Sequence, residues 1–219
     1  MKKVICSVLL LAVMVVFHLP AAYADMRDDV NQAISILERF QEMPERSIPP
    51  SVLRDAKGLA ILTVVKAGFI FSGRGGSGVV VARTKRGWSS PSAIGTGGAG
   101  FGLQIGAEVT EFVIVLNTFD AVNAFSQGGN VQLGAGLSVA AGPVGRTAEA
   151  GVTPVAAVYT YSRSQGVFAG VSLEGTIIAT RDEANANFYH QPVSPRDILS
   201  GRVKPPPEAK ALQGVLNRY

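Results

Sequence analysis

All 25 glycines of this 219-residue chain fall at or after Gly58, and none occurs in the first 57 residues. From that point short β-branched runs alternate with glycine: Leu59-Ala-Ile-Leu-Thr-Val-Val, then Gly73-Arg-Gly-Gly-Ser-Gly, then Val79-Val-Val-Ala-Arg. Glycine weakens a strand unless a bend, a bulge or a close backbone approach requires it. The pattern therefore predicts tightly bent strands from residue 58 onward, preceded by a helical lead.

The lead itself divides in two. Lys2 and Lys3, the apolar residues 4–19 and the small-x-small triplet Ala22-Tyr23-Ala24 have the order of a secretory signal. The reading is a cleaved segment over residues 1–24, with an uncleaved anchor as its alternative, and hence an exported protein, periplasmic or envelope-associated. Cys6, the only cysteine, lies inside that segment, so the remainder has no disulfide and no thiol chemistry. Without Lys2 and Lys3 the formal charge falls from +4 to +2, with 18 basic against 16 acidic residues. That balance argues against a bulk nucleic-acid binder.

Residues 25–43 read as an amphipathic helix. Met26, Val30, Ala33, Ile34, Leu37 and Phe40 recur at helical spacing, and Asp25, Asp28 and Asp29 favour its N-terminus. With the linker to residue 46 this forms one unit, and residues 47–219 form the main domain. A short helix is expected over 51–56. Strands are expected over 59–65, 68–72, 78–83, 99–108, 112–116 and 131–139, and a hairpin over 155–178. Thr118 or Asp120 caps a helix reaching Phe125. Short helices come last, over 181–189, 195–199 and 207–216. Successive strands without a βαβ rhythm give an α+β fold, a glycine-rich antiparallel β-barrel or sandwich with flanking N- and C-terminal helices.

Gly73-x-Gly75-x-x-Gly78 matches a dinucleotide-binding fingerprint, but that site needs a helix after the glycines and an acid about 20 residues on. Here a strand-forming run comes next, and no Asp or Glu occurs between Asp55 and Glu108. The glycines read instead as a bulge or hairpin, with no cofactor. Catalytic signals are equally thin. His190 is the only histidine after the lead, and it offers no helical ligand pair for a metal. Ser172 is one residue off a nucleophile elbow. Glu108 and Glu111, at odd spacing in a strand, face opposite sides. No enzyme and no metal site are expected.

Cations crowd one hairpin tip: Arg83, Lys85 and Arg86 precede Trp88, with Lys66 and Arg74 in the preceding turns. Basic residues beside an amphipathic aromatic suit an anionic lipid surface, at about 1 kcal/mol per cation. The alternative is a solvated turn with Trp88 buried as core. The polar face of the first helix carries five acids against Arg27 and Arg39. Interfacial helices usually carry an excess of Lys and Arg, so this one reads as a cover for the sheet.

Several motifs in order resemble the SYLF domain. These are Ala56-Lys-Gly-Leu-Ala-Ile, Lys66-Ala-Gly-Phe, Gly78-Val-Val-Val-Ala-Arg, Trp88-Ser-Ser-Pro-Ser-Ala-Ile and Gly142-Pro-Val-Gly-Arg. Tyr161-Ser-Arg-Ser-Gln-Gly-Val-Phe-Ala-Gly-Val-Ser-Leu-Glu-Gly and Asn187-Phe-Tyr complete the set. The resemblance runs from about Ser47 to the C-terminus. It implies lipid binding without catalysis: eukaryotic members bind phosphoinositides, some yeast members bind and bundle actin, and signal-bearing bacterial members are described as lipid-binding. The expected function is that of an exported, peripheral lipid-binding protein, with phospholipid headgroups held by Lys66, Arg74, Arg83, Lys85 and Arg86 and with Trp88 as interfacial anchor. Actin is not expected as the partner of an exported protein. The alternatives are a structural or protein-interaction module without a lipid ligand and, prompted by terminal Tyr219, an outer-membrane barrel. The last segment reads as helix and only 7% of residues are aromatic, which suits such a barrel poorly.

Overall fold

The structure, a computed structural model, describes residues 25–42, 48–134, 137–141, 156–166 and 176–219. Helix α1 spans Met26–Gln41, with the Asp25 carboxylate accepting from the Arg27 N–H at 3.4 Å. Its buried stripe is Met26, Val30, Ala33, Ile36, Leu37 and Phe40, so Ile36 takes the central place expected of Ile34, which is only partly covered. Helix α2, Pro50–Asp55, ends at Ala56. Gly58, two residues beyond, opens the sheet.

Two long strands dominate the sheet. Strand β1 spans Gly58–Thr84 and β3 spans Ser92–Leu116, where five shorter strands were expected. They pair antiparallel from Gly58↔Leu116 to Val80↔Ser92, with one register shift between Phe69 and Phe71. Between them β2, Gly87–Trp88, turns back on β1 through Arg83↔Trp88 and Thr84↔Gly87. A straight strand of 27 residues would run about 90 Å. This ribbon instead doubles back on itself. A Cβ on Gly76 or Gly78 would collide with the carbonyl oxygens of Thr63 and Ile61, from the first half of the same strand. The Arg83 N–H also donates to the Lys57 carbonyl at 2.7 Å. Gly76 and Gly78 thus serve a strand crossing inside one continuous strand, where a bulge or hairpin was expected.

The remaining strands extend the curled sheet. Helix α3, Phe119–Ser126, starts at Thr118, whose hydroxyl accepts from the Ala121 N–H at 3.1 Å. Strands β4 (Asn130–Gln132), β5 (Val139–Ala141), β6 (Val158–Gly166) and β7 (Ile177–Thr180) complete seven strands among the described residues. Gly134, at φ +89°, lies between β4 and β5, where one strand was expected. β6 pairs with β3, and β7 pairs with β3 and β4; most of the second arm of the expected hairpin, residues 167–175, lies outside the described residues. One pair, β5 with β6, is parallel. Helices α4 (Asp182–Tyr189), α5 (Pro195–Leu199) and α6 (Pro207–Leu216) close the chain. The result is an α+β fold, a curled sheet with helices at its flanks.

Strand periodicity divides the core into two layers. Leu59, Ile61, Val79, Val81, Val113 and Val115 face one way, against α1, α6, Phe188 and Trp88. Ala60, Leu62, Val80, Ala82, Phe112, Ile114 and Leu116 face the other, against α3, Val131, Ile178 and Leu199. Burial on both faces explains why these strands read as continuous apolar runs rather than as alternating ones.

Candidate functional site

The hairpin tip is built around one stacked pair. Arg83 and Trp88 are register partners, and the guanidinium lies over the indole at 4.1 Å from its centroid. Such a contact contributes about 0.5–2 kcal/mol, depending on desolvation. The Arg83 Nη2 also donates to the carbonyls of Leu53 at 3.2 Å and Arg54 at 3.3 Å, tying the hairpin to the end of α2. Burial holds the Arg83 guanidinium below its ordinary pKa.

Trp88 is buried, so it does not reach solvent as the expected interfacial anchor. Its indole N–H donates to the Leu216 carbonyl at 3.1 Å, and the Gln213 amide donates to the Trp88 carbonyl at 2.9 Å. The aromatic that does protrude near this end is Phe119, at 67% exposure. Lys85 and Arg86 are exposed in the turn, and Arg86 Nη2 reaches the Gly201 carbonyl at 2.9 Å.

The five expected cations do not form one patch. Arg83, Lys85 and Arg86 stay together at the tip. Lys66 lies elsewhere on β1, half-buried and in register with Glu108, while Arg74 lies across from Gly98 with its guanidinium folded over that glycine. Glu108 is buried and accepts from the Thr110 hydroxyl at 3.2 Å. Glu111, three residues on, faces the opposite side, as strand alternation requires.

Two ionic groups were not anticipated. Glu111 binds Arg39 of α1 at 2.5 Å and Arg163 of β6 at 3.3 Å. Asp29 of α1 binds Arg181 at 2.6 Å and accepts from the Ser77 hydroxyl at 2.6 Å. Burial raises the Asp29 pKa and outweighs the lowering by Ser77 and Arg181. Both groups fasten α1 to the sheet, and so part of its supposed polar face points inward. Spacing offered one clue: Asp29 sits three residues after Met26 and four before Ala33, inside the apolar stripe.

Among the described residues weighed for catalysis, Glu108 and Glu111 lie on β3 and His190 at the end of α4. His190 is exposed and caps α4 in the left-handed region at φ 55°. Ser172 lies outside the described residues. Tyr219 packs against the helix-side core, with its hydroxyl accepting from the Gln41 amide, and burial pushes its pKa up to about 12. The fold presents a curled sheet with a cation-bearing hairpin tip.

Residues 97–219 match the family described as "Ysc84: Las17-binding protein actin regulator". The chain belongs to this family, that of the SYLF domain. It is 51% identical over 201 residues to LAS seventeen-binding protein 3 of Saccharomyces cerevisiae, covering 87% of this chain and 44% of that protein. It is 53% identical over 204 residues to an SH3 domain-containing protein of Schizosaccharomyces pombe, covering 89% of this chain and 47% of the relative. With the human SH3 domain-containing YSC84-like protein 1 it shares 47% identity over 204 residues, covering 90% of this chain and 60% of that protein. The chain thus spans about half the length of the curated relatives it matches.

These likenesses correct three expectations. The exported, periplasmic or envelope-associated placement is overturned, because relatives sharing about half their residues with this chain come from yeasts and mammals and are named for Las17 binding or SH3 domains. The reading of a signal-bearing periplasmic protein falls with it; residues 1–24 lie outside the described residues. The exclusion of actin is also overturned, since the family is described as an actin regulator. The family and the Saccharomyces cerevisiae relative are named for binding and regulation, not for a reaction.

Proposed function

We propose that this domain is a non-enzymatic protein-interaction module serving actin-regulating assemblies. The observation that carries the reading is its half-identity, across most of its own length, to a yeast protein named for binding Las17. The geometry supports it. Ion pairs and a two-layered core fix α1 and the sheet as a rigid body, and Lys85 and Arg86 project from its tip. Residues 47–219 form the binding domain in this reading, with α1 as an integral cover. Lys85 and Arg86 contact the partner directly, and Arg83 holds the hairpin in place on Trp88.

The test uses purified chain in pull-down with Las17 and in co-sedimentation with actin filaments. Saturable binding to either supports the reading, and absence of binding to both rejects it. A finer reading, contact of the same hairpin with anionic phospholipid headgroups, rests on the exposure of Lys85 and Arg86 alone. Flotation with phosphatidylserine vesicles tests it: binding that survives Lys85→Glu/Arg86→Glu removes the hairpin from that role.

A further inference from the structure

Phe119 is 67% exposed, well above Val65 at 48%, Ile177 at 47% and Val109 at 40%. Burying such a ring away from water would be favourable, a gain this fold leaves unused. A single exposed apolar residue is ordinary on a protein surface. The surroundings of this one are not.

Phe119 is the first residue of α3, and its backbone is fixed because Thr118 caps the helix. Lys57 holds its ammonium 5.8 Å from the ring centroid and donates to the Asp55 carbonyl at 3.0 Å. The Lys57 main chain bonds in two directions, its N–H to Leu116 at 2.8 Å and its carbonyl to the Arg83 N–H at 2.7 Å. Phe119, Lys57 and the Arg83–Trp88 hairpin are therefore successive parts of one end of the ribbon. Exposed Arg54, Lys85 and Arg86 add charge to that end.

We propose that this end of the ribbon docks an acidic protein surface, with Phe119 entering an apolar socket on the partner and Lys57, Lys85 and Arg86 meeting its carboxylates. The proposal rests on the interaction-module reading and names the face that performs it. An aromatic anchor in a charged rim is the usual form of a protein-binding centre. The signs favour protein over membrane. Exposed Asp55 and Asp120 sit among the cations, and a uniformly anionic bilayer would repel them. A protein surface can match mixed charges one by one.

Actin filaments are the probe, with co-sedimentation of the full chain over a range of salt. Phe119→Ala is expected to weaken binding about tenfold or more. Lys85→Glu/Arg86→Glu is expected to weaken it comparably and to flatten its salt dependence. Lys210→Glu, on exposed α6 surface, should leave binding unchanged. All three side chains of the test variants are exposed, so an unchanged thermal melt shows that each variant is folded. Wild-type affinity in both Phe119→Ala and the double variant overturns this inference while leaving the functional reading intact. So does loss of phosphatidylserine-vesicle flotation in both with filament binding retained. A wild-type chain bound by neither filaments nor Las17 overturns both.

Discussion

Gly73, Gly75 and Gly78 share one motif but meet different demands. An added methyl at Gly73 or Gly75 meets nothing within 4 Å, whereas at Gly78 it runs into the Ile61 carbonyl and the Leu62 main chain. Gly78→Ala is therefore expected to cost about 3 kcal/mol or more, since the crossing strands must part to admit it. Gly73→Ala should be neutral or stabilising by about 0.5–1 kcal/mol, because alanine loses less backbone freedom in a strand. Urea denaturation of the two variants separates these outcomes. A loss of similar size in both would show that the motif, rather than the crossing, sets the requirement.

Among the elements, the joint between hairpin and α6 rests on Trp88. This is the only tryptophan in the chain, so its fluorescence reports the joint without interference. Leu212, fully buried in α6, packs in the same layer of the core as Trp88. Leu212→Ala is expected to destabilise by about 2–5 kcal/mol. Leu212→Asp should go further and release α6, shifting the Trp88 emission to the red as the indole meets water. An unshifted emission from a folded Leu212→Asp protein would place Trp88 outside this joint. The individual helices were legible in the sequence because their caps and stripes are local: Pro195 and Pro207 mark their starts, and Thr118 was one of two caps weighed for α3. The strands were legible only in pieces. Residues 66–67 and 109–111 read as breaks, whereas pairing across the ribbon, Ala67↔Ala107 and Val65↔Val109, carries the strands through both. The cation cluster was half legible. Hairpin chemistry placed Arg83, Lys85 and Arg86 together, but the doubling of β1 gives no local signal, so neither the separate positions of Lys66 and Arg74 nor the approach of Phe119 to Lys57 could be read.

For the whole molecule, the two core layers share their strands. Leu59 and Ala60, or Val113 and Ile114, are chain neighbours that serve opposite layers. Neither layer can melt without the backbone that carries the other. Leu37→Ala on the helix side and Phe112→Ala on the other side should each lower one common thermal transition, with far-ultraviolet and Trp88 signals superimposed. Two separated transitions in either variant would contradict the shared-strand architecture. The spread of α1's attachments, Asp29 to Arg181 and Glu111 to Arg39, extends the same cooperativity to the N-terminal helix.

The ribbon's register also orders the cost of its assembly. Val80 and Ser92 are 12 residues apart in the chain, whereas Gly58 and Leu116 are 58 apart. Closing a loop costs more as it lengthens, but once one rung is made the next needs only a few residues brought to hand. The Arg83–Trp88 turn is thus the cheapest place to begin, and the ribbon can close from there like a zip fastener. The tip that presents the domain's cations then also makes the earliest contacts available to the chain, and its long-range pairing is reached through a succession of short steps.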